Sequence, residues 1–382
     1  MKILFVIPTY KPAYVYGGPI VVVAKLAETL AASGKDITVY TTTANGAGEL
    51  EVETGKELMI DKVKVVYFKR LTKDHTHISP QLWSRLAKTL REFDIVHLHS
   101  WWSPAMFGVA AICKLKGVKP LLSPHGMFCD YVLDTNNRRK KQLMHQLVGK
   151  VLLKNTFLHV STPMEWNECQ TIMNGKWLGA IIPNVVELSS PASSVNVKKE
   201  DQPFLIGFLS RIDPKKGVDI LIKALSKVNF SYRLQIAGSG EESYIEYLKE
   251  IALSSGNSDK IDWVGWKNND EKFDFYKSVN LFALTSHNEN FAVVVLESLS
   301  VGTPVLLSEN VGLADYVRAA DLGWTTDISN IKQVTQVLEQ AYSDHSKRAN
   351  ISRIAPDLIR RDYNKNLLAS RYLGYYTKML GA

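Results

Sequence analysis

The sequence predicts an α/β protein made of two doubly wound parallel-sheet domains in series, and three observations carry that expectation. Short β-branched runs alternate with longer amphipathic intervals along most of the 382 residues, the signature of βαβ units. A stretch rich in Ser, Pro and Lys, "VVELSSPASSVNVKKEDQP", breaks the alternation near mid-chain, after which it restarts. The length exceeds one ordinary core and suits two domains of roughly 150 to 200 residues.

In the first half, "KILFVIP" (2–8), "ITVYTT" (37–42), "VKVVYFKR" (63–70), "DIVHLHS" (94–100), "LLSPHG" (121–126), "LHVST" (158–162) and "AIIPN" (180–184) read as strands. Residues 20–33, 82–92, 104–116 and 138–154 fill helical intervals between them. In the second half the strands are "FLIGFLSR" (204–211), "RLQIAGSG" (233–240), "IDWVGW" (261–266), "LFALTS" (281–286) and "PVLLSE" (304–309). The expected boundaries are a first domain over 1–186, a linker over 187–202 and a second domain over 203–364. A C-terminal helix over 365–382, rich in aromatics, is expected to pack back on the first domain.

Composition narrows the function. Hydrophobic residues at 46% and charged residues at 22% are those of a soluble globular chain. No apolar run approaches the roughly 18 to 20 residues of a membrane span, and "MKILFVIPTYK" turns polar too early for a secretory signal, so a cytoplasmic protein is expected. The three cysteines, Cys113, Cys129 and Cys169, are irregularly spaced and frame neither a disulfide scaffold nor a CxxC metal site. A net charge of +8 suits anionic partners. The lysines are scattered instead of interleaved with aromatics on one surface, which argues against nucleic acid.

Parallel sheets bind ligands beyond the carboxyl ends of their strands, so the loops there carry the chemistry. After the first strand, Gly17 and Gly18 precede a long helix, where backbone N–H groups can approach an anion; a plain tight turn is the alternative. His97 and His99, two apart on one strand face, and His125, followed by Gly126, end two neighbouring strands. An HxH with a third histidine is one route to a metal, but such sites also need positioned carboxylate or further nitrogen ligands, and only Asp94 and Asp130 are near in sequence. Packed or hydrogen-bonded strand residues are the simpler reading of His97 and His99, and His125 is the better cleft candidate. In the second half, Arg211 ends a strand and Lys216 precedes Gly217 and a helix. Guanidinium, ammonium and helix N-terminus together form a diphosphate clamp, unless the loop is merely solvated.

"HNENFAVVVLESLSVGTPV" (287–305) places Glu289 and Glu297 at the two ends of an apolar run. Strands are already supplied on both sides, so residues 290–301 are expected to be helical, ended by Gly302 and Pro304. Eight residues of helix span roughly 12 Å. A glycosidase pair needs its carboxyls about 5.5 to 9.5 Å apart, so these two glutamates instead suit one elongated ligand with hydroxyls at two distant places, such as a nucleotide sugar.

Taken in order, Gly17-Gly18, "SPHG" with His125, Arg211 with Lys216-Gly217, and Glu289-x7-Glu297 followed by "GTPV" resemble the family-four glycosyltransferases, retaining enzymes of the GT-B fold. The resemblance covers almost the whole chain and implies two Rossmann-like domains facing across a cleft, the first on the acceptor side and the second binding the donor. "SPHGMF…KKQLMHQLVGKVLLKNTFLHVSTPMEWNE" is similar to a subgroup serving capsule, O-antigen and exopolysaccharide assembly. Carried over residue by residue, it implies that Glu289 binds donor-sugar hydroxyls and Glu297 the ribose. Backbone N–H groups of Asn290, Phe291 and Ala292 would face the sugar or diphosphate. Arg211 and Lys216 would neutralise the leaving diphosphate, with Gly18 approaching it, and His125 would orient the sugar. The base would rest near Gly265, Trp266 and Lys267. Asn290 and Ala292 stand where the family usually has glycine, which puts the donor's identity in question, and Val185 replaces the usual glycine after "IPN". The implied reaction is metal-independent hexosyl transfer with retention from a nucleoside diphosphate sugar, in bacterial surface polysaccharide synthesis, with no cofactor.

Residues 136–155 combine Arg138, Arg139, Lys140, Lys141, Lys150 and Lys154 with Leu143, Leu147 and Val151 at helical spacing. Such a helix can lie on anionic lipid, where a polyprenyl-linked acceptor is found; an ordinary surface helix with a core-facing stripe is the alternative. Three rivals remain from the residues: a nucleotide-sugar epimerase, a metal-dependent hydrolase using His97, His99 and His125, and a non-catalytic nucleotide-sugar binder.

Overall fold

The computed structural model describes residues 1–134, 138–189 and 203–381. Residues 190–202, most of the expected linker, lie outside the described residues, as do 135–137 at the start of the basic stretch. The chain divides into two compact units: unit 1 comprises Met1–Val186 with Lys365–Ala382, and unit 2 comprises Glu187–Asn364.

Unit 1 contains strands β1 (Lys2–Val6), β2 (Asp36–Thr42), β3 (Ala44–Asn45), β4 (Gly48–Glu49), β5 (Glu57–Ile60), β6 (Val63–Phe68), β7 (Ile95–His99), β8 (Leu121–Ser123), β9 (Phe157–Val160) and β10 (Gly179–Ile181). Eight of them form one sheet in the order β10-β9-β8-β7-β1-β2-β6-β5. All its pairings are parallel except that of β5 with β6. The central strands are buried end to end, as a sheet covered by helices on both faces requires. The strand order reverses between β1 and β7, so the loops after these two strands diverge and leave a crevice at their carboxyl ends. Gly17 lies beyond β1, and His99 ends β7.

Helix Gly18–Ala32 packs against the C-terminal helix Lys365–Leu380, whose Leu368, Ala369, Tyr372 and Tyr376 are buried. Its apolar and aromatic residues fall at helical spacing and cover the edge of the unit 1 core.

Unit 2 contains β11 (Phe204–Leu209), β12 (Tyr232–Ala237), β13 (Ile261–Gly265), β14 (Leu281–Leu284), β15 (Val305–Ser308) and β16 (Gly323–Thr326), wholly parallel in the order β13-β12-β11-β14-β15-β16. Here the order reverses between β11 and β14. The loops after those strands carry Arg211 with Lys216 and Glu289, respectively.

Two local expectations need correction. The helix expected over 290–301 begins only at Val293 and ends at Ser300. Ala292 precedes it in the left-handed conformation, φ 50° and ψ 66°, so Glu289 to Phe291 run as an irregular loop and the two glutamates do not share one helix. The basic stretch is helical over Arg138–Met144 and Lys150–Leu153, but a π-helical turn at His145–Gly149 interrupts it. A π turn rotates the faces on either side of it. Gly149, Leu152 and Leu153 therefore turn inward, while Leu143, Leu147 and Val151 are exposed instead of facing the core.

Candidate active site

In unit 2 the switch point brings Lys216 and Glu289 together. After β11 the chain turns through Pro214–Lys216, capped by Asp213, whose side chain accepts the Lys215 N–H at 3.0 Å. Gly217 follows with φ 63°, and a Cβ there would collide with the Thr285 carbonyl. Thr285 Oγ1 in turn donates to the Gly217 carbonyl at 2.8 Å, and the His287 N–H donates to the Lys215 carbonyl at 2.8 Å. These bonds seat the lysine turn against the loop leaving β14. Glu289 is fixed from its other side: its N–H donates to the Asn310 carbonyl at 3.0 Å, and its carbonyl accepts the Gly312 N–H at 2.7 Å. The result is a Lys216–Glu289 ion pair between two half-buried side chains. Arg211 stands exposed at the end of β11.

Glu297 lies on helix Val293–Ser300 and is only 6% exposed. Lys272 Nζ bonds one of its oxygens at 2.6 Å, and the Tyr276 hydroxyl donates to the other at 3.0 Å. Burial and this carboxylate push the Tyr276 hydroxyl well above its ordinary range. Both partners come from helix Asn269–Ser278, and sequence reading missed them. Phe291 and Ala292 are buried and Asn290 half-buried just before the helix N-terminus. Gly265, φ 69°, ends β13 and accepts the Gly238 N–H at 2.9 Å; Trp266 beyond it is 67% exposed. A hollow of about 360 Å3 in unit 2 is lined by residues including Gln235, Val264, Lys267 and Phe275; of the expected site residues only Lys267 borders it.

In unit 1, Gly17 has φ 79°, and Gly18 is exposed with nothing within 4 Å of where a Cβ would stand. The loop before them is anchored by Lys11, buried between Glu28 and Asp61. His125 begins the turn after β8 with φ 55°. Buried Glu165 holds that turn, accepting the Gly126 N–H at 2.6 Å and the Ser161 N–H at 3.0 Å. The Thr162-x-x-Glu165 spacing is the legible trace of this anchor, because Thr162 caps the same helix.

Around His125 the sequence pattern gave only His97 and His99, whereas the structure adds Ser123, His159, Tyr372 and Tyr376. His159 Nε2 lies 2.9 Å from both the Ile182 carbonyl and the Tyr372 hydroxyl; the carbonyl can only accept, so the proton of the neutral ring is on Nε2 and the hydroxyl oxygen also accepts there. Ser123 Oγ must then donate to His159 Nδ1 at 2.6 Å and accept from His97 Nε2 at 2.6 Å. That leaves His97 Nδ1 to accept the Tyr376 hydroxyl at 2.9 Å. Neutral rings fit this chain: burial pushes His97 and His99 well below the usual imidazole range, His159 down to about 4 and His125 down to about 3. His97 thus has both nitrogens engaged by protein. Among the described residues no group of three or more His, Cys, Asp or Glu is arranged to hold a metal. The three cysteines are buried, and burial raises the Cys113 thiol to about 12.

Comparison with known proteins agrees with the geometry. Residues 16–165 match the model "Glycosyltransferase Family 4", and residues 190–357 match "Glycosyl transferases group 1". An uncharacterized glycosyltransferase of Methanocaldococcus jannaschii is 23% identical over 98% of both chains. The lipopolysaccharide core biosynthesis glycosyltransferase LpsE of Rhizobium meliloti is 26% identical over 54% of this chain and 57% of its own. Among solved structures, sucrose-phosphate synthase from Thermosynechococcus elongatus superposes with a TM-score of 0.78 at 16% identity, covering 100% of this chain and 99% of that one. HepE of Anabaena in complex with UDP and glucose gives 0.74 at 18% identity, covering 99% and 100%. Two glycosyltransferase models that together take in most of both units, on a shared fold, identify the chain as a member of the family-four glycosyltransferases.

Proposed function

We propose that this glycosyltransferase moves a hexosyl-type sugar from a nucleoside diphosphate sugar to a hydroxyl of a glycan or polyprenyl-linked acceptor, with retention and without a metal, in bacterial surface polysaccharide synthesis. The observation that carries the reading is the Lys216–Glu289 pair at the unit 2 switch point. In this reading Lys216 is the cation for a leaving diphosphate and Glu289 the carboxylate for sugar hydroxyls. The similarity to LpsE, a glycosyltransferase of lipopolysaccharide core biosynthesis, supports the polysaccharide role, and the likeness to HepE, solved in complex with UDP-glucose, supports a nucleotide-sugar donor.

In this reading Arg211, Lys216 and the N-terminus of helix Val293–Ser300, with the backbone of Asn290, Phe291 and Ala292, stabilise negative charge as the diphosphate departs. Glu289 holds the sugar, Glu297 the ribose, and the Gly265–Trp266 turn the base. In unit 1, Gly17 and Gly18 leave room for an anion at the start of helix Gly18–Ala32, and His125 is the group offered to a sugar hydroxyl. The C1–O bond to the diphosphate breaks with its electron pair on the phosphate oxygen. The acceptor oxygen bonds C1 from the same face and gives its proton to that phosphate, so retention needs no protein nucleophile. The test is acceptor-dependent release of UDP or GDP from a panel of nucleotide sugars in EDTA, with the product anomer read by NMR. One donor is consumed and its configuration kept. An inverted product, or turnover abolished by EDTA and restored by a metal, contradicts the mechanism.

The exposed stripe on the basic stretch supports docking to anionic lipid, where a polyprenyl-linked acceptor resides. Leu147 is 68% exposed, and Leu143, Val148 and Val151 are exposed with Lys150 and Lys154 nearby. Apolar insertion with flanking cations is the chemistry of an interfacial helix. Among the described residues no helix is long and apolar enough to cross a membrane. Flotation with acidic vesicles tests this: binding falls in Leu147→Glu and at high salt, and an absence of binding even at low salt removes the proposal.

A further inference from the structure

We propose that His99 is a positioning residue that holds His125 in the tautomer carrying its proton on Nδ1, so that His125 meets its ligand as a hydrogen-bond donor. The role of the ligand as a donor sugar rests on the function proposed above; the tautomer does not.

His99 Nδ1 lies 3.1 Å from His125 Nε2, with the two rings inclined by 17°. Between two neutral imidazoles one nitrogen must donate and the other accept, and the remaining nitrogen of His99 decides which. His99 is 1% exposed, enclosed by Phe5, whose ring lies edge-on at 4.8 Å, and by His97 at 4.1 Å. Its Nε2 is buried without a hydrogen-bond partner among the described residues. The cavity His99 shares with Val22, Val23 and Leu26 and with the polar Ser123, Asn184 and Tyr372 is too narrow for a water molecule. If Nε2 carried the proton, an N–H donor would be buried with no acceptor, a rare and costly state. With the proton on Nδ1, Nε2 presents only an unshared pair, which is less costly to leave unpaired than a buried N–H. His99 therefore donates to His125 Nε2, and the neutral His125 ring must carry its own proton on Nδ1.

His125 is thus set twice by residues that do not meet the ligand: Glu165 fixes its turn and His99 its proton. A donor at that position recognises an oxygen lone pair and cannot serve as a base, in keeping with a transfer in which the leaving phosphate takes the acceptor's proton.

The test uses the full chain with ring-15N histidine and long-range 1H–15N correlation spectra, the His125 signals being assigned by their loss in His125→Gln. Wild type should show His125 as the Nδ1–H form. His99→Asn, whose amide can reproduce the Nδ1 donor, should keep it, while His99→Leu should shift it to the Nε2–H form or a mixture. In the transfer assay His99→Leu should lower kcat on the order of tenfold, the worth of one hydrogen bond, with rescue in His99→Asn. His125 found as Nε2–H in wild type overturns the proposal, as does an unchanged Nδ1–H form in folded His99→Leu. The wild-type spectrum decides even if the leucine variant does not fold. A chain that shows the predicted tautomer but transfers no sugar instead rejects the assigned reaction.

Discussion

Lys272 Nζ sits 2.6 Å from Oε1 of Glu297, on a carboxylate almost wholly removed from solvent. An ammonium that close compensates a buried charge, and its removal leaves the carboxylate with the Tyr276 hydroxyl alone. Breaking such a pair from one side costs about 3 to 5 kcal/mol, whereas neutralising both sides costs much less. Lys272→Met should therefore lower stability in urea titrations by about 3 kcal/mol, and adding Glu297→Gln should recover most of the loss. A double variant that loses as much stability as Lys272→Met alone would contradict an uncompensated carboxylate as the cause of the loss.

The histidine chain makes stability depend on pH. His159 has a folded-state value near 4 against an ordinary 6.5, because burial disfavours its charged form. It faces Ser123, the Ile182 carbonyl and Tyr372. The unfolded ring binds a proton that the folded ring refuses, so this contribution is complete above about pH 6.5 and is lost as pH falls through 4; its full size is about 3 kcal/mol. Urea midpoints should fall between pH 6.5 and 5, a window where most carboxylates stay ionised. His97 and His99 act in the same direction. A flat profile over that window contradicts neutral buried histidines.

Ala292 holds a left-handed conformation that favours glycine. Ala292→Gly should relieve about 1 kcal/mol of strain, seen as a rise of a few degrees in Tm, and should widen the range of donors accepted. Retention of a strained alanine just before helix Val293–Ser300 fits a methyl group kept for selectivity. An unchanged or lower Tm would show that the conformation is not strained.

Two glycines should separate folding from ligand approach. Gly217→Ala drives a Cβ into the Thr285 carbonyl and should destabilise unit 2. The Cβ of Gly18→Ala meets nothing among the described residues, so thermal unfolding should be nearly unchanged while turnover falls, by up to about a hundredfold if the donor is displaced by an ångström. Normal turnover in Gly18→Ala would contradict an approach of the diphosphate to this glycine.

The buried parallel strands were legible because β-branched runs bounded by Gly and Pro leave few other structures, whereas the strand orders that set the two switch points were not read from the sequence. The short strands β5 and β16 were not: "ELMI" alternates between exposed and half-buried, and "GWTT" is half polar. The late start of helix Val293–Ser300 was hidden because alanine gives no sign of a left-handed residue. Lys216 and Glu289 could be read from motif spacing, but Lys272 and Tyr276 could not, since they reach Glu297 from a separate helix. For the same reason His97 was visible on its strand while its partner Tyr376, 279 residues away, was not. In the basic stretch, helical spacing identified the stripe but not its direction, which the π turn decides.

The central claim is that unit 2 grips a nucleoside diphosphate sugar through Lys216 and Glu289, and thermal shift against a panel of UDP- and GDP-sugars tests it most directly. A bound donor raises Tm by mass action. One nucleotide sugar should stabilise the wild type. Lys216→Ala and Glu289→Ala, folded and with their own Tm within a few degrees of wild type, should lose that response and turn over about 100 to 1000 times more slowly. A donor shift and turnover that survive in both variants would contradict the account.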